Sequence, residues 1–316
     1  MATMIEPRTV TVIIPAYNAA RTLERAIDSV LSQDYPLHQV IIVDDCSRDG
    51  TPGIAAAYAS KGVTLIRLEQ NRGAAGARNV GVAAATGEFI AFQDADDEWL
   101  PGKLRAQIEV LARDPSMTLV SCAAEEVLPN GVPNGNLYKG RPFTVGAEAW
   151  KTLLRYNFIA TPSVLTRRAL LIQVGGFDPA LRIAEDQDMW IRLAGLGNIG
   201  YVNKVLLRVH LQVDGLSYSY YGGSYINQIR YTLPMIRKHL ERSQFRLSPQ
   251  QRSAIYGERV SRLGRVTMTQ GAYLGGMRLI WEAIVAGYRP AMNLLYIVEG
   301  APPIRWLKRQ IHRLGF

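Results

Sequence analysis

Along the first two thirds of the chain, short β-branched runs alternate with apolar residues at helical spacing. Val10 to Ile14 is an apolar run that ends at Pro15, and Leu23, Ile27, Val30 and Leu31 then recur with a helical period. Val40 to Val43 is a second run and closes on Asp44-Asp45. Thr51-Pro52 reads as an N-cap with proline in the first turn, which starts a helix. Val63 to Leu68 is a third strand, and the alanine-rich stretch from Gly73 to Thr86 is helix-compatible and stops at Gly87. Phe89 to Phe92 is a fourth strand that runs straight into Asp94. Leu104, Ile108 and Leu111 mark a helix, and Met117 to Cys122 a fifth strand.

Such alternation predicts an α/β fold, a mostly parallel sheet flanked by helices on both faces. Ligands bind beyond the carboxyl ends of the strands in sheets of this kind. Those ends carry Pro15-Ala16-Tyr17-Asn18, Asp44-Asp45, and Asp94 through Asp97. Three polar clusters are therefore expected to converge on one crevice. Residues 123–160 read as looser, with turn signals at Pro129-Asn130-Gly131 and Pro133-Asn134-Gly135. Order returns with a strand near Ser163 to Thr166, the Gly175-Gly176-Phe177-Asp178 turn, a helix from Asp186 to Ala194 and a strand from Val205 to Val209. From about residue 222 the pattern is helical, with arginine-rich faces.

Composition adds the class. The 316 residues, 48% hydrophobic and 20% charged, suit a globular protein of one large domain plus an appendage, or of two domains. Cys46 and Cys122 sit in apolar contexts and are expected as buried free thiols in a reducing compartment. The absence of a CxxC or Cys/His cluster argues against structural zinc. No signal-peptide pattern and no apolar run of about 18 residues is visible, so the protein is expected in the cytoplasm. Charge is uneven: residues 1–200 hold 19 Lys+Arg against 22 Asp+Glu, whereas residues 201–316 hold 17 against 5. The back end is thus strongly basic.

The acidic run carries the chemistry. Asp94, Asp96 and Asp97 follow a buried strand, and carboxylates this close raise one another's pKa unless a cation is present. A divalent ion completed by substrate phosphates relieves that cost; a solvated loop that caps the following helix is the plainer alternative. Three further segments precede the run. They are Val12-Ile13-Ile14-Pro15-Ala16-Tyr17-Asn18, Ile42-Val43-Asp44-Asp45 followed by Cys46 to Thr51, and Asn71-Arg72-Gly73 with Ala77-Arg78-Asn79. In this order and spacing, over about residues 8–217, the ensemble resembles the family 2 glycosyltransferases with the GT-A, Rossmann-like fold.

The resemblance implies an inverting enzyme that moves a sugar from a nucleotide diphosphate sugar, a UDP-sugar first of all, to an acceptor hydroxyl. Bacterial cell-surface polysaccharide or glycolipid assembly is the implied setting. Residues 1–217 would form the catalytic domain and residues 218–316 a basic helical region. Pro15, Ala16 and Tyr17 would line the nucleotide pocket, and Asp45 would accept the uracil imide N–H, while Asp44-Asp45 can equally open a turn before Gly50. Arg78 would lie near the nucleotide or its diphosphate. Asp94 would face the ribose or the metal, and Asp96 would bind Mn²⁺ or Mg²⁺ directly. Asp97 is expected to cap the helix that starts near Pro101. Asp186 would take the proton of the acceptor hydroxyl, and Glu185 would raise its pKa or hold the acceptor. The alternative for Glu185, Asp186 and Asp188 is that they offset a helix dipole. His210, with Ser217 downstream, sits where relatives often place a histidine close to the metal or diphosphate.

The tail from Pro303 to Phe316 sets Ile304, Leu307, Ile311 and Leu314 at helical spacing among Arg305, Lys308, Arg309, His312 and Arg313, with Trp306 alongside. This basic amphipathic helix suits the cytoplasmic surface of an anionic membrane, or docking on the protein's own core. The implied partners are a nucleotide-sugar donor and a saccharide or lipid-linked acceptor; no nucleic-acid module is recognisable. Two other functions compete. A sugar-phosphate nucleotidylyltransferase would carry a glycine-rich loop where this chain has Pro15 to Ala20. A non-catalytic nucleotide-sugar-binding subunit would have no use for Asp45, Asp96 and Asp186 together.

Overall fold

A computed structural model describes residues 8–138, 143–211 and 225–300. The chain divides into two compact units, residues 1–153 with 157–222, and residues 154–156 with 223–316.

The first unit is built on β1 (Val10–Ala16), β2 (Gln39–Asp44), β3 (Val63–Arg67) and β4 (Phe89–Phe92). They pair in parallel in the order β3-β2-β1-β4, with Ile13 opposite both Ile41 and Phe92. Val10, Val12, Ile13 and Ile14 are all buried, as a strand covered by helices on both faces requires. Helices α1 (Leu23–Leu31), α2 (Thr51–Ala57), α3 (Gly73–Ala84) and α4 (Lys103–Arg113) connect the strands.

Past β4 the sheet becomes mixed. β5 is Glu98–Trp99, β6 Met117–Val127, β7 Pro133–Asn136, β8 Leu165–Arg167 and β9 Asn198–His210. β8 lies antiparallel between β4 and β6, β9 runs parallel to β6, and β5 runs antiparallel to β9. This second half departs from the expected pattern in three places. The fifth strand continues to Val127 because β9 accompanies it as far as the Val127–His210 pair. Pro133-Asn134-Gly135, read as a turn, lies in β7, an edge strand whose four residues are all exposed, so the missing proline N–H costs no sheet bond. Glu98-Trp99 is a strand too short to show a period, held by Leu207 and Arg208.

Helices α5 (Ala149–Arg155), α6 (Arg168–Gln173) and α7 (Glu185–Ala194) complete the framework. Thr51 is not the cap of α2. Its N–H and hydroxyl both donate to Asp49 Oδ1, at 3.0 and 2.6 Å, and its oxygen accepts the Ala19 N–H at 2.7 Å. Asp49 serves the helix start, and Thr51 ties it to the loop after β1. Both cysteines are free, but Cys46 is only partly buried.

The second unit is helical in its described part: α8 (Leu233–Glu241), α9 (Pro249–Thr269), α10 (Tyr273–Val285) and α11 (Pro290–Gly300). Ser248 caps α9 in a reciprocal box with Gln251. α9 and α10 pack closely at Gly276, where a Cβ would stand 2.6 Å from the Gly264 carbonyl oxygen. Among the described residues no helix is long and apolar enough to cross a membrane. The basic tail from Pro303 and the position of Ser217 lie outside the described residues.

Helix α3 rests on β1 through a bare backbone. A Cβ on Gly81 would stand 2.4 Å from Ile13 Cγ2, inside the core. Alanine is the better helix former by about 1 kcal/mol, yet the clash is larger. Gly81→Ala is expected to destabilise the protein by about 1–3 kcal/mol in urea unfolding; a gain in stability would show that α3 does not sit this close.

Candidate active site

The carboxyl ends of β1, β2 and β4 form one crevice wall, joined by hydrogen bonds between loops. Asn18 N–H donates to Ser47 Oγ at 2.9 Å, Arg48 N–H to Asn18 Oδ1 at 2.9 Å, and Ala20 N–H to Asp49 Oδ2 at 3.1 Å. Asn18 and Cys46 take left-handed φ angles of 50° and 65° to make these turns. Ala16 is buried, Pro15 partly so, and Tyr17 is 50% exposed with its ring free to meet a planar ligand.

The two aspartates of β2 divide their work. Asp44 Oδ1 accepts the Ser47 N–H at 3.3 Å and so closes the turn. Asp45 accepts the Arg72 and Gly73 N–H groups at 2.7 and 2.8 Å, one on each oxygen, at the N-terminus of α3. Each oxygen keeps a lone pair for a further donor. Burial nevertheless raises the Asp45 pKa, with the neighbouring Asp44 charge adding to it.

Arg78 leaves α3 and joins two other elements. Its Nη2 donates to Asp94 Oδ1 and its Nη1 to Glu185 Oε1, both at 2.9 Å. The guanidinium is buried and lies 5.5 Å from the Phe177 ring centre. These ion pairs raise its pKa against the effect of burial. Arg78, expected near the nucleotide or its diphosphate, thus bridges the end of β4 and the start of α7. Its neighbour Asn79 donates to the Phe177 carbonyl and accepts the Phe177 N–H, both at 2.8 Å. Phe177 in turn meets Phe92 edge-on at 5.4 Å and Trp190 at 5.9 Å. This aromatic group fastens the Gly-Gly-Phe-Asp turn and α7 to the end of β4.

Within the acidic run the three carboxylates differ. Burial and the Asp94 charge push Asp96 up to about 6. Asp97 is buried and pushed well up by burial, Asp96 and Asp94. Its Oδ1 accepts the His210 N–H at 3.0 Å. Asp97 therefore does not cap α4, whose N-terminus follows Gly102 without a side-chain cap; it holds the end of β9 instead. The His210 ring lies 3.2 Å from Glu98 Oε2, across the β5–β9 pair. Arg25 on α1 donates to the Asp96 carbonyl at 2.5 Å. Among the described residues no three His, Cys, Asp or Glu side chains form a metal cage. The donor set of Asp94 and Asp96, whose mutual repulsion a cation relieves, fits a hard divalent ion that takes its remaining ligands from phosphate and water.

Asp186 opens α7 after Ala184, which has a left-handed φ of 63°. Asp186 Oδ1 accepts the Gln187 N–H at 2.6 Å, and Oδ2 accepts an amide N–H of Asn157 at 2.8 Å. Burial first, then the Glu185 charge, lift its pKa to about 7. Arg192, one turn further on, pairs with Asp188 at 2.6 Å and donates to the Val174 and Gly176 carbonyls at 2.7 Å. Asp188 thus serves this buried pair as well as the helix N-terminus. Sequence reasoning missed Arg25, Asn157 and Arg192, none of which belongs to a motif with a signature of its own.

The model of glycosyl transferase family 2 matches residues 11–171. The chain belongs to that family. It is 38% identical over 187 residues to the succinoglycan biosynthesis protein ExoO of Rhizobium meliloti, covering 56% of this chain and 53% of ExoO. The chain thus spans about half of ExoO's length. It is 30% identical over 194 residues to WfgD of Escherichia coli, a UDP-Glc:alpha-D-GlcNAc-diphosphoundecaprenol beta-1,3-glucosyltransferase, covering 61% of this chain and 73% of WfgD. In fold it resembles residues 1–349 of S. aureus TarS in complex with UDP-GlcNAc, with a TM-score of 0.68 at 21% identity over 96% of this chain and 92% of that fragment. It also resembles the mannosyltransferase PcManGT of Pyrobaculum calidifontis in complex with GDP-Man and Mn²⁺, with a TM-score of 0.61 at 25% identity over 96% and 84%. The chain has an α/β GT-A fold with a helical C-terminal part.

Arg78→Met leaves Asp94 and Glu185 without their shared cation. The loss expected is about 3–5 kcal/mol of stability in urea unfolding, and adding Glu185→Gln to the variant should recover part of it by removing one unpaired buried charge. No recovery in the double variant would show that the guanidinium matters for packing alone.

Proposed function

We propose that residues 1–217 catalyse inverting transfer of a sugar from a UDP-sugar to an acceptor hydroxyl, with Asp186 as the base. The observation that carries this reading is the Arg78 bridge. It brings Asp94, at the donor end of β4, and Glu185, next to Asp186, onto one guanidinium. A donor seated on Tyr17, Asp45 and Asp94 then presents its anomeric carbon towards α7. The Asp186 carboxylate removes the acceptor proton as the oxygen attacks that carbon, and the bond to the diphosphate breaks on the opposite side. A base titrating near 7 is charged enough to accept the proton and basic enough to drive its transfer. Asn157 and the Gln187 N–H hold the carboxylate in place. Glu185, tied to Arg78, raises the pKa of Asp186.

Asp96 and Asp94 would hold Mn²⁺ or Mg²⁺, which neutralises charge building on the leaving diphosphate. His210 would support this set from its backbone contact with Asp97. A UDP donor is supported by WfgD, whose name states one, and by the TarS complex with UDP-GlcNAc; metal use is supported by the Mn²⁺ complex of PcManGT. WfgD and ExoO also support a saccharide or lipid-linked acceptor in polysaccharide or glycolipid assembly. Residues 218–316 would associate with a cytoplasmic membrane surface through the basic tail.

Asp186→Asn is expected to leave UDP binding unchanged and to abolish transfer. In the parent protein the rate should rise about tenfold per pH unit up to about 7 and then level off, because a raised pKa keeps the base protonated below it. Full activity of the variant, or a flat profile between pH 5.5 and 8.5, would place the base elsewhere. UDP with Mn²⁺ should raise the melting temperature above UDP alone, and Asp96→Ala should erase that increment. An increment that survives the substitution would remove Asp96 from the metal site.

A further inference from the structure

Helix α10 is apolar on two faces, and the second unit covers only one of them. Leu279, Ile280 and Ala283 are buried against its own core. On the opposite side Leu274, Trp281 and Val285 are 81%, 56% and 73% exposed. With Arg278, also exposed, they recur at i, i+4, i+7 and i+11 and so form one straight stripe. Isolated exposed apolar residues are ordinary, but an aligned row of three with a tryptophan at its centre marks a contact surface.

Charge tells which partner fits. The stripe contains one cation and no carboxylate. Glu282, the acid of the same helix, is turned aside into a cluster with Arg237 at 3.0 Å and the Tyr256 hydroxyl at 2.7 Å. Glu258 is likewise consumed by Arg155 and Arg262, at 3.1 and 2.9 Å. Across residues 223–300 there are 11 Lys+Arg against 4 Asp+Glu. Two of the four acids are thus paired within the unit, and the surplus is positive. A second copy of the chain would bring the same surplus to the contact. Four positions spanning about 17 Å of one helix also offer a footprint far short of the roughly 800 Å² per partner of a stable protein interface. A lipid surface has no such minimum. It accepts an indole at the headgroup level, aliphatic side chains just below it and an arginine on phosphate.

We infer that the Leu274–Arg278–Trp281–Val285 face of α10 docks on an anionic phospholipid surface. This contact is separate from the basic tail and independent of the donor chemistry above. The full-length protein is expected to sediment with phosphatidylglycerol vesicles and at least tenfold less with phosphatidylcholine vesicles. The triple variant Leu274→Ser/Trp281→Ser/Val285→Ser, altered only at exposed positions, should lose at least tenfold in vesicle binding while its UDP thermal shift stays at the parent value. A second reading does not depend on the triple variant: with brominated phosphatidylglycerol the tryptophan fluorescence should be quenched, and Trp281→Phe should remove part of that quenching. Vesicle binding unchanged in the triple variant, or quenching that disappears only in Trp306→Phe, would overturn the proposal and leave the tail as the lipid contact. A concentration-dependent dimer that the triple variant abolishes, without vesicle binding in the parent, would overturn it in favour of self-association.

Discussion

The buried guanidinium of Arg78 is the constraint around which the crevice is arranged. Three elements distant in sequence meet on it: α3, which supplies it, the end of β4, which supplies Asp94, and the start of α7, which supplies Glu185. A buried cation is costly unless its partners are held in place. That requirement works in both directions. The carboxylates fix the arginine, and the arginine fixes how far the end of β4 stands from the start of α7. Phe177 under the guanidinium and Asn79 beside it extend the same constraint to the backbone of the Gly-Gly-Phe-Asp turn.

Helix α3 therefore does more than connect β3 to β4. Its N-terminus is pinned by Asp45, so the strand that would contact the nucleotide also sets where the helix begins. Its middle touches Ile13 through Gly81 with no side chain between. Between those two points lie Arg78 and Asn79. A small-residue helix makes this approach possible, because bulk at Gly81 would lift the arginine away from Asp94. Alanine and glycine at these positions, which look like low-information filler in the sequence, set the depth of the guanidinium.

The parallel half of the fold was legible because each of its strands is long enough to show a period and ends on a polar cluster. Tyr17, Asp45, Asp94 and Asp96 stood out at those strand ends, whereas Arg78 and Asp186 stood out through the family resemblance. What sequence hid was connectivity. Nothing local shows that Arg78 bridges two carboxylates carried by other elements. Asp97 looked like a helix cap because a helix follows it, but its partner is His210, 113 residues later. Asn157 lies in a stretch of turn signals, and only the folded chain brings it to Asp186. β5 and β7 were missed because a two-residue strand shows no period and a Pro-Asn-Gly run carries no strand propensity; their neighbours β9 and β6 impose the conformation.

The acidic groups carry a cost that the rest of the fold must outweigh. Asp96 and Asp186 titrate near 6 and 7 in the native protein, above the ordinary carboxylate value near 4. Between those limits the native state holds protons that the unfolded chain has released. Stability attributable to these groups is therefore intact below about pH 4 and declines as pH rises towards 7. Arg78 offsets part of that decline, because its charge lowers the pKa of both Asp96 and Asp186. On the proposed reading, complete neutralisation would remove the raised pKa that suits Asp186 to act as a base. On the proposed reading, the donor and its cation supply the missing charge at Asp96 and Asp94 only while substrate is bound. The site remains under-neutralised when empty, and binding energy from the diphosphate is what completes it.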